Sequence, residues 1–334
     1  MLGRLAFLAL MLFGLSCLTF AISHVVPGDP ARLAAGPDAN QAMVDTLRAK
    51  YGLDRPLPVQ FARYLRGLAA GDLGESLRSR NAVAADLAQY FPNTFELVTL
   101  ALLLAVALGV PLGMLAAVHR DTWIDQGARV LSVSGVALPA FWLGLMLQLL
   151  IALHLGWLPL GGRLGLTATP PAPITHLLLV DALLRGEWRT MADALAHAAL
   201  PVVTLSLPAL ASIMRVNRAE MLETLQQDYI KTARAQGFSG FRIVCRYALR
   251  NAMIPTLAMI GLRYGWMLGS TILVETVFDW PGIGLYAVNA AVSSDFAPIM
   301  GVTLLLGLNF MLANLLVDLA YGWLDPRIRR PGLT

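Results

Sequence analysis

Charge is scarce in this chain. Asp, Glu, Lys and Arg make up 14% of its 334 residues, against about 25% in an ordinary soluble domain. Lysine is nearly absent, with only Lys50 and Lys231. The net charge is +4 and no dense basic patch occurs, which excludes an electrostatic nucleic-acid binder. Cysteine is limited to Cys17, in an apolar run, and Cys245, in a basic segment. Two such cysteines offer neither a zinc spacing nor a plausible disulfide. The five histidines are scattered singly, without an H-E-x-x-H pair, and His24 and His197 near apolar-run ends read as structural. There is no G-x-x-x-x-G-K-[ST] phosphate loop and no G-x-S-x-G elbow. ATP binding through such a loop is excluded, and no catalytic residue, metal or cofactor is expected.

What the chain has is apolar length. Hydrophobic residues reach 57%, and a helix needs about 20 of them to cross the hydrocarbon core. Six runs answer to that: Leu5–Val26, Leu97–Val118, Val130–Leu160, His197–Met214 (with Pro201 and Pro208), Met253–Val274 (with Arg263) and Phe296–Leu319 (with Asn309, Asn314 and Asp318). The expected fold is therefore an all-α polytopic membrane protein of six transmembrane helices. The first run is longer than a signal-peptide core and lacks a clear small-x-small site after it, so it reads as an uncleaved helix. Gly14 stands where a lipoprotein cysteine would want a larger aliphatic residue, which argues against lipidation of Cys17.

Basic residues set the orientation. The 119–129 loop carries Arg120 and Arg129, the tail carries Arg327, Arg329 and Arg330, and the 215–252 loop carries Arg215, Arg218, Lys231, Arg234, Arg242, Arg246 and Arg250. Residues 276–295 carry none. Both termini and the 215–252 loop are placed in the cytoplasm. The domain reading is a first helix over 1–27, an external helical region over 28–94, a transmembrane domain over 95–325 and a cytoplasmic tail over 326–334.

In the external region Asp38 is expected to cap a helix through Lys50, ended by Gly52 in a left-handed turn. Pro56 and Pro58 start the next piece, Gly71-Asp72-Leu73-Gly74 is a turn, and 82–90 is a short helix before the second run. Residues 174–184 are too short to cross and are placed at the outer surface, with Trp188 as an interface anchor.

The most informative segment is Asp228-Tyr229-Ile230-Lys231-Thr232-Ala233-Arg234-Ala235-Gln236-Gly237. Residues 219–236 are good helix formers, Gly237 stops the helix, Ser239 caps another running to about Asn251, and Pro255 lies near the first turn of the fifth span. Helix, glycine break, helix makes a short stiff knob, and Ala233 keeps one face small for close approach. A basic helix lying on lipid headgroups is the plainer reading.

Ala233-x-x-x-Gly237 followed by Pro255 resembles the "EAA" coupling loop of ABC importer permeases, which fits a groove on the ATPase. The general pattern has Glu-Ala before this alanine, where Lys231 and Thr232 stand here, and its proline comes five residues earlier. Both departures resemble the peptide and nickel permease branch, with its Thr-Ala-Arg-Ala-x-Gly. So do Pro27-Gly28-Asp29-Pro30, Tyr51-Gly52-Leu53-Asp54-Arg55-Pro56, Gly71-Asp72-Leu73-Gly74, Asn93-Thr94, Pro111-Leu112-Gly113, Trp280-Pro281-Gly282-Ile283-Gly284 and Asp325-Pro326-Arg327-Ile328-Arg329. In order and spacing the chain is similar to a B-type permease of dipeptide and oligopeptide importers. The long 162–196 loop is closest to the dipeptide type.

The resemblance implies a type I ABC importer fold in a bacterial inner membrane and several partners. These are a second, homologous permease, two ATPase subunits or domains, a periplasmic binding protein, a peptide substrate and membrane lipid. It assigns coupling to Tyr229, Thr232, Ala233, Arg234, Ala235 and Gly237. The translocation path is expected to involve Arg263, Glu275, Asn309 and Asn314. A charge inside a span is costly. Arg263, where the family has an uncharged polar residue, is either a path cation for a peptide carboxylate or half of an ion pair, with Glu275 or an acid of the partner permease. Asp318 is expected to anchor helix packing through Arg215 or Arg129. The Trp280-Pro281-Gly282 turn either meets the binding protein or packs as a re-entrant element. Nickel chelates, glutathione and opines are alternative cargoes. A stand-alone secondary carrier or an intramembrane enzyme would need paired intramembrane groups, and neither pairs nor a repeat occur.

Overall fold

The computed structural model describes residues 2–25, 30–35 and 39–324. Expectations resting on Pro27-Gly28-Asp29, Asp38 and the tail arginines lie outside the described residues. The order of elements is α1 (Leu2–Val25), α2 (Pro30–Ala35), α3 (Gln41–Tyr51), α4 (Leu57–Ala69), α5 (Val83–Val118), α6 (Trp123–Ala137), α7 (Ala140–His154), α8 (Leu178–Arg185), α9 (Trp188–Leu225), α10 (Asp228–Ala235), α11 (Gly240–Val277), α12 (Ile283–Val292) and α13 (Phe296–Leu324). The described residues form no strand, only an isolated bridge between Glu75 and Ala82.

By length and composition α5, α9, α11 and α13 are each able to cross a membrane, and the bent pair α6–α7 brings the count to five where the pair is taken as one broken span. In α1, Leu8–Ile22 is a shorter apolar stretch. The single run expected over 130–160 is instead two helices set at 104°. The reason is Pro139: a residue before proline is driven out of the α region, and Leu138 sits at ψ 126°. The fourth run is much longer than expected. α9 passes through Pro201 and Pro208 without stopping, as membrane helices permit when neighbours take up the freed backbone groups.

Two compact units are formed, one from residues 1–93 and 281–311, the other from 94–280 and 312–334. In the first, α4 lays its aromatic side on α1. The Phe20 and Phe61 ring centroids are 5.1 Å apart, and Thr19 Oγ1 lies 3.2 Å from Tyr64 Oη. Asn40 caps α3, its side chain accepting from the Met43 amide. Gly52 ends α3 at φ +67° as expected, and Pro56 precedes the first turn of α4. Asp72 Oδ1 accepts from the Gly74 amide and closes the Gly71–Gly74 turn. The helix expected over 82–90 is not separate but the first turns of α5, whose Val83 and Leu87 pack with Ile283 and Val302.

In the second unit α9 is the central element, packed against α6, α7, α8 and α11. Small residues let the backbones approach: a Cβ on Gly113 would sit 2.6 Å from the Met214 carbonyl oxygen, and one on Gly135 2.8 Å from Ala211 Cβ. This is the small-residue packing typical of helices in lipid. Asn217 Nδ2 donates to Thr256 Oγ1 between α9 and α11.

The long 155–187 segment is held by two buried carboxylates and one half-buried one rather than by apolar packing alone. Asp181, 2% exposed, accepts from the amides of Ile174, Thr175 and His176 and from Thr175 Oγ1. Glu96 accepts from Arg163 and from the Leu179 amide, and Asp193 accepts from the Gly165 amide. Burial pushes the Asp181 carboxyl up, but these four donors outweigh it and hold it below the usual carboxylate range. A depressed carboxyl contributes stability above its ordinary value of about 4, lost as pH falls through the depressed value. Protection of the 174–176 amides, measured against their intrinsic exchange rates, is therefore expected to fall as pH drops below about 4. An Asp181→Ala variant should have low protection there at every pH, and a variant that keeps the wild-type pH profile of protection would refute this role. Trp188 is 61% exposed at the start of α9.

Candidate functional site: the 219–252 segment and the intramembrane polar residues

The segment expected as one helix over 219–236 is broken at Gln226 and Gln227. Residues up to Leu225 continue α9, and α10 is a separate eight-residue helix. An unbroken helix would carry Ile230 and Ala233 away from the bundle. The break turns both inward, onto Ala117, Met221, Ile243, Ala248 and Ala252, and Ile230 is fully buried.

Gly237 adopts φ +78°. Its amide donates to the Arg234 carbonyl and that of Phe238 to the Ala233 carbonyl, which together form a Schellman stop. Ser239 then caps α11, its Oγ accepting from the Arg242 amide. Both features follow the sequence reading. The next helix does not end near Asn251, however. It runs without interruption into the apolar span, and Pro255 lies inside it rather than in a first turn.

The proposed coupling residues divide by burial. Ala233 is 4% exposed, so its smallness serves packing against this chain's own alanines and not approach by another surface. Thr232, Arg234, Ala235 and Gly237 are exposed. Tyr229 is 41% exposed, and its hydroxyl accepts from Asn251 Nδ2 at 2.6 Å, tying α10 to α11. The outward stripe, at helical spacing, is Asp228, Lys231, Thr232 and Ala235. The Lys231–Asp228 pair at 2.8 Å is exposed and contributes little to stability.

A feature with no sequence motif braces this segment from behind. Asp125, at the start of α6, is fully buried. It accepts from Arg218 Nε and from Arg218 Nη2 at 2.8 Å, from Arg129 Nη2 at 2.8 Å and from the Asp121 amide at 3.0 Å. Arg129, one of the two arginines expected near Asp318, is engaged by Asp125 and Asp121. The side chain of Asp318 lies outside the described residues. A single acid in a short charged loop is not distinctive in one dimension, and its partner Arg218 lies 93 positions away.

The intramembrane residues differ in burial. Glu275 is fully buried and accepts from Thr94 Oγ1 at 2.6 Å. That is a packing position within the second unit, which explains why it is not facing open space. Asn314 is exposed and Asn309 half-buried. Arg263 is half-buried, and its Nε, fully enclosed, has no hydrogen-bond partner. Trp280 is 2% exposed, with the Arg163 guanidinium 5.9 Å from its ring centroid, which favours the packing reading of that turn. Among the described residues no group of three His, Cys, Asp or Glu is placed to hold a metal.

Comparison with known proteins gives two family matches. Residues 109–330 match the "Binding-protein-dependent transport system inner membrane component" family, and residues 1–98 match its N-terminal membrane component. The chain is 46% identical to a probable D,D-dipeptide transport system permease protein of Escherichia coli K12, over 97% of this chain and 96% of that protein. It is 39% identical to the dipeptide transport system permease protein of the same strain, over 98% of each. It is also 39% identical to a glutathione transport system permease protein of Pectobacterium atrosepticum, over 93% of this chain and 92% of that protein. Matches of this extent, covering both the membrane core and the N-terminal region, leave one conclusion: the chain belongs to the binding-protein-dependent transport system inner membrane component family.

Proposed function

We propose that this chain is one permease subunit of an ATP-driven importer and forms half of the translocation path for dipeptides or short oligopeptides. A second, homologous permease supplies the other half, two ATPase units hydrolyse ATP, and a binding protein delivers the substrate. In this reading the chain crosses the membrane six times, with α1 and the α6–α7 pair completing the count. Both termini and the 215–252 loop are cytoplasmic. The dipeptide permease relatives support the substrate class. The glutathione permease relative makes that small peptide the second candidate. Family membership sets aside the stand-alone carrier.

The observation that carries the coupling assignment is the construction of α10. One side is locked into the bundle through Ile230 and Ala233, both ends are capped or broken, and the opposite side is open. A helix held this way transmits a push from an ATPase into α9 and α11 as a rigid-body motion. Ala235 stands on the open stripe with its small side chain outward. Ala235→Trp is therefore expected to lower ATP-driven uptake at least tenfold and to abolish ATPase co-purification, with the thermal midpoint of the membrane domain unchanged. Intact ATPase docking and full uptake in this variant would exclude α10 as the contact.

A further inference from the structure

An apolar recess of about 630 Å³ lies within the first compact unit, walled by α1, α4, α5 and α13. Phe13, Leu65, Leu87, Phe91 and Leu305 are among its walls, and Ser16 is the one polar residue in its lining. The Ser16 hydroxyl is already satisfied, because it donates to the Phe13 carbonyl 2.8 Å away. Nothing in the lining therefore asks for a polar ligand. Two of the walls, α5 and α13, are long and apolar enough to cross a membrane. In a chain of this family the medium around such helices is the bilayer. Phe13 and Leu308, which line the recess, are 50% and 39% exposed, so the recess opens onto that medium and is not sealed by the chain itself.

Size decides between the apolar groups that could enter. Along α5 the lining runs from Ala84 to Pro92, about 12 Å at 1.5 Å per residue. A helix of another chain over that length occupies about 900 Å³ or more, which exceeds the recess. An extended acyl chain is thinner and fits. Hydrophobic transfer does not favour its entry, since the chain leaves surroundings as apolar as those it enters. The gain is van der Waals contact, which walls facing a void forfeit. Arg66 addresses the other end of such a molecule. It follows Leu65 in the last turn of α4 and is exposed, and no acid among the described residues pairs with it. Its planar fork suits a phosphate. We propose that this recess is a phospholipid site, with one acyl chain held between α1, α4, α5 and α13 and the phosphate on Arg66. A lipid bound there fastens α1 and α4 to the α5–α13 pair.

The test uses the assembled transporter, stripped of lipid in detergent, with phosphatidylglycerol as the probe, plain or with a diazirine at the end of one acyl chain. Light-driven crosslinks in wild type should concentrate on the lining residues of α1, α5 and α13. Plain lipid should raise the thermal midpoint by about 4 °C or more. Ala84→Leu with Ala88→Leu fills the recess from two exposed positions. Crosslinking there should fall at least tenfold, and the midpoint should no longer respond to lipid. Arg66→Gln, at the surface, covers the case in which the double variant fails to assemble. It should keep the crosslink positions but need roughly fivefold more lipid for half-maximal effect, as expected for loss of a charge-assisted contact. Crosslinks spread evenly over the exposed faces of α5 and α13 would show annular lipid only and overturn the site. Wild-type crosslinking in the double variant, or an unchanged lipid requirement in Arg66→Gln, overturns it as well. A photoreactive residue in place of Ala88 that captures a protein chain instead of lipid does the same, because a polypeptide would then fill the recess.

Discussion

Replacing Asp125 by alanine is expected to cost the membrane domain about 3–5 kcal/mol, the usual penalty for removing one partner of a buried ion pair. The carboxylate is fully buried and holds two arginines from two helices, Arg129 of α6 and Arg218 of α9. Arg218 is itself only 19% exposed. Without the carboxylate its guanidinium is left in a poorly hydrated site with no replacement acceptor. The lost contact lies where α9 leaves the apolar bundle and approaches α10, so uptake should fall with stability. The loss should show as a lower thermal midpoint in detergent. The pair Asp125→Leu with Arg218→Met should recover much of it, since an apolar replacement of similar volume removes the desolvation cost along with the attraction. If Asp125→Ala leaves the midpoint unchanged, the network does not brace the fold. If the double replacement recovers stability without uptake, the charges also serve coupling.

Enlarging Ala233 is the second large effect. The residue packs in a cluster of small and flexible side chains, with Ala117, Ala248 and Ala252 on the facing surfaces. Ala233→Leu adds three carbons to a site that has no space for them, and overpacking of this kind costs about 1–3 kcal/mol. The strain is relieved most easily by lifting α10, because that helix is only eight residues long and is tied down by few contacts besides Ile230 and the Tyr229–Asn251 bond. Uptake is therefore expected to fall at least tenfold while the bundle keeps its thermal midpoint. Hydrogen exchange over 228–237 should rise in the same variant. Unchanged exchange together with lost uptake would place the defect at an outward contact instead. Together with Ala235→Trp, this variant separates the anchoring side of α10 from its outward side.

The distinction between those two sides was not legible in one dimension. Ala233 and Ala235 are both small residues in the same motif. Which faces the bundle depends on the break at Gln226 and Gln227, and neither residue carries a break signal. The break comes from burial of Ile230 and Ala233 against residues of α9 and α11, a gain that local propensity does not contain. The Asp125 network was hidden for a similar reason. Asp121, Arg129 and Arg218 are unremarkable loop charges until the fold brings them to one point.

By itself the sequence determined the membrane character, from the length of its apolar runs and the scarcity of charge between them. It also determined the stop at Gly237 and the cap at Ser239, because those depend on one residue's own backbone freedom or side-chain acceptor. Gly52 and the Gly71–Gly74 turn were legible on the same ground. Tertiary structure alone decided what depends on neighbours distant in the chain. It bent the third apolar run at Leu138–Pro139, carried α9 through two prolines and buried Glu275 beside Thr94. Burial and pairing are properties of the packed bundle, whereas turns, caps and apolar length are written locally.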